Sequence, residues 1–242
     1  MKYRCVASSP EGLVQLLAAS YLRHGYFWYV TGRIKGSKDP AEIDRKLVDK
    51  YQIALTARER ARRKERGIAN MHYVRYDRWF ILLATEGNHA FKQEEKKSIR
   101  DCRRVAIKFA GYSISYRRGG RTPKGGSDPK WHAHVRIDTT TYSELRAHLV
   151  GLATHRSAES LAQEFRKIDF ARYAPIRRQL LNILRAANAA RSRTGYESIP
   201  HSALNLRRTI VPVYAEDENV NGSNLEAGQW KTTLSKKSCS LI

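Results

Sequence analysis

Residues 131–138 read WHAHVRID, and they alternate between apolar and polar side chains with the period of a half-buried β-strand. The apolar face of this strand consists of Trp131, Ala133, Val135 and Ile137. The polar face consists of His132, His134, Arg136 and Asp138. Two imidazoles at positions i and i+2 point the same way and can share one divalent cation if another element supplies a third ligand. The plainer alternative is the polar face of a half-exposed hairpin.

The segments around this strand predict an α+β protein. Further strands are expected at residues 1–8, 26–34, 71–85, 105–117 and 209–214, the last of them at a sheet edge because it contains Pro212. Helices are expected at residues 9–25, 39–67, 89–104, 142–154, 158–171 and from 175 onward. We therefore expect a mostly antiparallel central sheet of about five or six strands flanked by helices, with residues 26–34 and 131–138 in its interior and a helical C-terminal extension.

The domain organisation follows from the same pattern. Residues 1–140 are expected to form the α+β core, and residues 141–214 a helical extension that continues the same domain. A capping box at Thr141 and Glu144 marks the start of the first helix of that extension, at Tyr142. Residues 215–242 are polar with few apolar groups, so a disordered tail is predicted.

The charge of the chain indicates the class of its partner. The 242 residues include 45 Lys and Arg against 23 Asp and Glu, which gives a formal net charge of +22 and a pI of about 10.2. Such an excess favours contact with a polyanion. Apolar residues make up 41% of the chain, which excludes a fully disordered protein. An anionic membrane would require a basic amphipathic helix with a large apolar face, so nucleic acid is the preferred partner, with single-stranded DNA favoured and RNA possible.

Basic side chains cluster in three places that we expect to contact phosphates. The first cluster lies in the polar helix ARERARRKERG. The second lies in the Gly-rich loop after residue 117 and its neighbouring strand, and the third in the last predicted helix. The candidate nucleic-acid-binding residues are Arg58, Arg60, Arg62, Arg63, Lys64, Arg66, Arg118, Arg121, Lys124, Lys130, Arg136, Arg177 and Arg178.

Several patterns bear on the compartment. No apolar run reaches about 18 residues, and the first residues lack the apolar stretch of a signal peptide, so no membrane span and no secretion are expected. Cys5, Cys102 and Cys239 are far apart and odd in number, which fits a reducing compartment. A cytoplasmic or nucleoid-associated protein is the expectation. Cys239 also begins a C-terminal Cys-Ser-Leu-Ile, which has the outline of a prenylation box with an atypical last residue.

The motif His132-Ala133-His134, followed by the apolar Val135, resembles the central motif of the HUH endonuclease superfamily. That superfamily includes rolling-circle replication initiators, relaxases and single-strand transposases. Residues 28–33, WYVTGR, resemble its first strand, and a tyrosine follows the His-x-His strand. The resemblance spans roughly residues 26–178 and depends on short motifs.

The resemblance implies metal-dependent nicking of single-stranded DNA and strand transfer through a phosphotyrosine, in replication initiation or mobile-element transfer. His132, His134 and one further polar residue would bind Mg²⁺ or Mn²⁺, which would act as a Lewis acid on the scissile phosphate. Glu86 is the first choice for the third ligand, followed by His89 and Asp138. The nucleophile would be Tyr173, which lies 39 positions after His134 (173 − 134), or Tyr142. The sequence departs from the replication initiators, whose Tyr-x-x-Lys is here Tyr-Ala-Pro-Ile-Arg.

Two other functions stay open on the sequence alone. One is a non-catalytic basic DNA- or RNA-binding protein, in which aromatic side chains stack on bases. The other is an RNA-processing ribonuclease that uses His132 or His134 as its general base. Helicase motifs are absent from the sequence, so any unwinding would need a helicase or an oligomeric partner.

Overall fold

The computed structural model describes residues 3–120, 125–126 and 128–214, and its class is α+β, as predicted. The strands are β1 (Trp28–Arg33), β2 (Met71–Tyr76), β3 (Trp79–Ala84), β4 (Arg100–Asp101), β5 (Ile107–Phe109), β6 (Tyr112–Arg118) and β7 (Trp131–Ile137). The helices are α1 (Pro10–Leu16), α2 (Pro40–Lys50), α3 (Ala57–Glu65), α4 (Ala90–Glu94), α5 (Thr139–Leu152), α6 (Ala158–Arg166) and α7 (Ala174–Arg193). Short π and 3-10 turns continue α1 to His24. None of the helices in the described ranges is long and apolar enough to cross a membrane.

The strands form two antiparallel sheets instead of the single sheet that the sequence predicts. The first has four strands in the order β2-β3-β1-β4, so β1 is an interior strand, as expected. The second has three strands in the order β5-β6-β7. The segment predicted as one long strand over residues 71–85 is the hairpin β2–β3, which reverses at Asp77, a residue with positive φ (51°).

The WHAHVRID strand, β7, lies at the edge of the three-stranded sheet, which corrects the expected interior position. It pairs on one side with β6, and the register sets His134 opposite Ser115 and His132 opposite Arg117. Its other edge is partly closed by the side chain of Gln179 from α7. The Ile137 amide donates to Gln179 Oε1 at 2.8 Å, and Gln179 Nε2 donates to the Ile137 carbonyl at 3.0 Å.

The four-stranded sheet separates two hydrophobic clusters because successive side chains of each strand point to opposite faces. Tyr29 of β1 and Ile81 of β3 face the main cluster, while their neighbours Val30 and Leu82 face a smaller one with α2 and α4. The main cluster also contains the buried side of the three-stranded sheet and the C-terminal helices. Burial of this shared apolar surface holds the two sheets together.

Residues from both sides of position 140 contribute to the main cluster, from Leu13 of α1 to Leu180 of α7. The first C-terminal helix begins three residues earlier than predicted, at Thr139, because Asp138 caps it instead of Thr141. The Asp138 carboxylate accepts from the Thr140 amide at 3.4 Å.

The predicted edge strand at residues 209–214 is reduced to a single bridge between Ala7 and Tyr214. The predicted tail, residues 215–242 with Cys239, lies outside the described residues.

Three other predicted helices are shorter in the structure, and the one expected over residues 158–171 is α6, which ends at Arg166. The stretch 39–67 is broken into α2 and α3 by residues 51–56, where Gln52 has a positive φ of 49°. The stretch 89–104 contains the short helix α4 and then the two-residue strand β4, which pairs with β1.

Candidate nucleic-acid interface

One face of the β6–β7 hairpin concentrates the polar side chains of both strands. We call it the histidine face and define it by six residues: Ser113, Ser115, Arg117, His132, His134 and Arg136. The alternation predicted for β7 is confirmed, because Val135 and Ile137 are fully buried on the other side of the strand. The pairs Arg117–His132, Ser115–His134 and Ser113–Arg136 lie directly across the two strands. Because cross-strand partners are neighbours, the face carries two guanidinium groups beside two imidazoles.

His134 is the more enclosed of the two histidines. Its side chain is half-buried, and its Nδ1 atom is buried with no hydrogen-bond partner within the described residues. Burial lowers the pKa of His134, and the positive charges of Arg117 and Arg136 lower that pKa further. The imidazole is therefore neutral at physiological pH, so one of its nitrogens is a hydrogen-bond donor and the other an acceptor.

His132 is exposed and has a carboxylate partner. Its Nε2 lies 2.8 Å from Asp128 Oδ2. The other carboxylate oxygen of Asp128 accepts from the Lys130 amide at 3.0 Å. The Lys130 amide and His132 both lower the pKa of Asp128, so the carboxylate is ionised. This small network fixes the end of β7 where the hairpin loop returns to the sheet.

The structure does not bring the predicted third metal ligands to the two histidines. Within residues 3–120, 125–126 and 128–214, no group of three or more His, Cys, Asp or Glu side chains could hold a metal ion. Glu86 follows β3, in the other sheet, where it accepts from Trp28 Nε1 and from Arg103 Nη2 at 2.9 Å each.

The two remaining ligand candidates serve as helix caps. His89 caps α4, with its Nδ1 accepting from the Phe91 amide at 3.1 Å. Asp138 caps α5 and forms an ion pair with Lys108 of β5. Each of these side chains therefore already satisfies a backbone or charged group.

The two candidate nucleophiles pack on the other side of β7. Tyr173 and Tyr142 both lie against the main hydrophobic cluster, which contains Val135 and Ile137 and thus borders the side opposite the histidine face. The Tyr173 hydroxyl accepts from Arg208 Nη2 at 3.2 Å, and the Arg208 guanidinium lies 4.2 Å from the ring centroid. Burial raises the pKa of Tyr173, which disfavours the phenolate.

Some of the basic side chains of helix α3 form hydrogen bonds within the protein. Arg60 donates to the carbonyl oxygens of Ile53 at 2.9 Å, Met71 at 3.0 Å and Leu55 at 3.3 Å, so its guanidinium is not available to a phosphate. Arg63 donates to Gln52 Oε1. The other predicted contacts of this segment are exposed: Arg58, Arg62, Lys64 and Arg66.

The remaining predicted contacts lie near the hairpin and on α7. Arg118 and Lys130 are exposed at the loop end of the hairpin, and Arg177 and Arg178 are exposed on α7. Arg121 and Lys124 lie outside the described residues. Sequence reasoning missed Arg117 and Ser115, although the alternation in GYSISYRR places both on one face of their strand.

The chain was compared with protein-family models, with curated proteins and with solved structures, and none of them matches it. The resemblance to the HUH superfamily therefore stays a prediction. The functional interpretation depends on the geometry and charge of the site alone.

Proposed function

We propose that the protein binds single-stranded nucleic acid across the histidine face of the β6–β7 hairpin. The observation that supports this proposal is the composition of that face. Its six residues include two arginines, two histidines and two serines, and the carboxylates at its two ends, Asp128 and Asp138, are paired with His132 and Lys108. In a chain of net charge +22, such a face attracts a phosphate backbone and offers it guanidinium, imidazole and hydroxyl donors.

The chemistry of each residue type fits a backbone contact. The guanidinium groups of Arg117 and Arg136 can donate two hydrogen bonds to one phosphate. The neutral His134 and the exposed His132 can donate to phosphate or sugar oxygens, and Ser113 can do the same. These contacts position a strand and carry no base specificity.

Equilibrium binding to fluorescently labelled single-stranded DNA and RNA of the same sequence tests the proposal. The variant Arg117→Gln/Arg136→Gln should weaken binding about tenfold or more, since each lost charge-assisted contact is worth roughly 1 kcal/mol. The control Arg166→Gln/Arg185→Gln removes the same charge from exposed positions on α6 and α7. Equal losses in both variants would show that total charge alone drives binding, and the proposal would fail.

A second candidate function is metal-dependent strand cleavage. The observation that favours it is the unpartnered Nδ1 of His134, beside a second imidazole on the same face. His132 and His134 are the residues that would hold a metal ion, which would polarise a phosphate. The described residues complete no set of three donors, and Mg²⁺ and Mn²⁺ prefer oxygen ligands, so the fit is incomplete and we derive no reaction step through a metal.

The cleavage candidate has its own test. End-labelled single-stranded DNA is incubated with the full-length protein and Mn²⁺ or EDTA, and the products are separated on a denaturing protein gel. A Mn²⁺-dependent covalent protein–DNA band that is lost in His134→Ala and in Tyr173→Phe or Tyr142→Phe would support it. Binding without cleavage or a covalent band under any condition would rule this candidate out and leave the binding function standing.

A further inference from the structure

A stack of aromatic rings lies at the loop end of the β6–β7 hairpin and ends at the exposed indole of Trp131. The ring centroids of Phe27 and Tyr116 are 4.9 Å apart with planes inclined by 29°. Those of Tyr116 and Trp131 are 5.8 Å apart with planes inclined by 19°. The Arg103 guanidinium lies 4.6 Å from the Phe27 centroid at the inner end of the stack. Four planar groups thus follow one another, from the Arg103 guanidinium to the exposed indole.

The inner end of this stack is held in place by ionic contacts. Arg103 Nε donates to both carboxylate oxygens of Asp101 at 2.9 Å, and its Nη2 donates to Glu86 at 2.9 Å. Phe27 and Tyr116 pack against the main hydrophobic cluster. Trp131 is therefore supported by a sequence of fixed groups, so a ligand that stacks on it would find a preformed surface.

The outer end of the stack is open. Tyr116 covers one side of the Trp131 ring, yet Trp131 keeps 44% of its surface exposed. An exposed tryptophan of this kind offers a π-face to any planar group. Its cross-strand partner Arg118 is exposed and lies on the same side of the hairpin, whereas the next residue along the strand, His132, belongs to the histidine face on the other side. One guanidinium that can donate to phosphate therefore lies beside one free aromatic face.

We infer that Trp131 is the stacking platform for an unpaired base of a single-stranded nucleic acid, one of whose neighbouring phosphates contacts Arg118. The inference extends the proposed nucleic-acid binding and depends on it: the strand would cross the free edge of β7 from the histidine face to the side on which the Trp131 ring lies. Base stacking on aromatic side chains combined with basic contacts to the backbone is the general mode by which proteins bind single strands. The bases of a duplex are already stacked on each other, so the platform selects single strands.

The experiment measures the contribution of the base separately from that of the sugar–phosphate backbone. The full-length protein is titrated with a short labelled thymidine oligonucleotide and with an oligonucleotide of equal length whose residues are all abasic. Trp131→Ala should weaken binding of the thymidine strand about 5- to 150-fold, the range expected for the loss of one stacked base. Binding of the abasic strand should not change, which also shows that the variant hairpin remains folded.

Two further variants serve as controls. Trp131→Phe keeps a ring at the platform and should restore most of the affinity for the thymidine strand. Tyr196→Ala removes another exposed aromatic side chain, 47% accessible and located after α7, and should leave both affinities unchanged.

The outcomes distinguish this inference from the proposal on which it depends. If the wild-type protein binds both strands and Trp131→Ala weakens neither or weakens both equally, the stacking platform is wrong and the binding function stands. If the wild-type protein binds neither strand, both fail. A lower oligomeric state of Trp131→Ala in sedimentation, with strand binding unchanged, would assign Trp131 to a protein contact and overturn the inference.

Discussion

The helix α3 and the β6–β7 hairpin are both rich in arginine, but they use it differently. In α3 the Arg60 guanidinium donates to three backbone carbonyls. The exposed arginines of this helix have Glu59 and Glu65 among them. In the hairpin, Arg117 and Arg136 share the histidine face, and the carboxylates at its ends are paired with His132 and Lys108 instead. A count of positive charges therefore predicts only a class of partner, whereas the pairing of each guanidinium decides which surface is left for such a partner.

The largest effect that tests this difference concerns stability. Arg60→Met keeps the aliphatic part of the side chain and leaves the carbonyls of Ile53 and Met71 without their donor. We expect a loss of about 2–4 kcal/mol in the free energy of unfolding. Urea unfolding measures it, with the exposed Arg62→Met as the matched control, which should change stability by less than about 0.5 kcal/mol. Equal effects of the two variants would show that Arg60 is not structural.

The next effect concerns the pH dependence of stability near α3. His72 of β2 stacks on Tyr21 at 4.4 Å, and burial followed by the charge of Arg60 lowers its pKa to about 3. Since the unfolded chain takes up this proton first, the stabilising contribution is complete above the ordinary histidine pKa and is lost as the pH falls. Between about pH 6.5 and pH 5 the loss should be about 1.6 kcal/mol.

Urea unfolding at the two pH values checks this prediction. His72→Gln should remove most of the pH-dependent loss, whereas His148→Gln, at an exposed position of α5, should retain it. A wild-type stability that does not fall over this interval would contradict the burial of a neutral His72.

A smaller effect is expected at the hairpin. Gln179→Ala removes the side chain that pairs with both backbone groups of Ile137 at the free edge of β7. We expect a loss of about 1 kcal/mol in the free energy of unfolding, because water replaces these bonds in part. Gln163→Ala, an exposed glutamine on α6, is the control and should be close to neutral. If Gln179→Ala left the free energy of unfolding unchanged, the hydrogen bonds at the free edge of β7 would not contribute to stability.

Local patterns of the sequence were sufficient for the features that depend on neighbouring residues. The alternation in WHAHVRID predicts β7 and its two faces, and Val135 and Ile137 are indeed buried. The apolar side of α7 is confirmed for the same reason. These features follow from period-two and period-3.6 patterns, which require no knowledge of distant contacts.

Features that depend on distant residues were not predicted. The edge of β7 is closed by Gln179, 42 positions later in the chain. The hairpin β2–β3 turns at Asp77 and Arg78, where the sequence has neither Gly nor Pro to mark the turn. The partners of Arg60 are loop and edge-strand carbonyls that become neighbours only in the folded chain. Glu86, the first candidate for the third ligand, follows a strand that belongs to the other sheet, and the sequence alone does not show how the strands divide between two sheets.

The salt dependence of binding tests the central claim most directly. The logarithm of the association constant for single-stranded DNA is measured against the logarithm of the salt concentration for the wild type, Arg117→Gln/Arg136→Gln and Arg62→Gln/Arg66→Gln. Each lost phosphate contact should reduce the slope by about 0.7, so the hairpin variant should be shallower by about 1.4 while the helix variant keeps the wild-type slope. A shallower slope in the helix variant with no change in the hairpin variant would contradict the account and place the strand on α3.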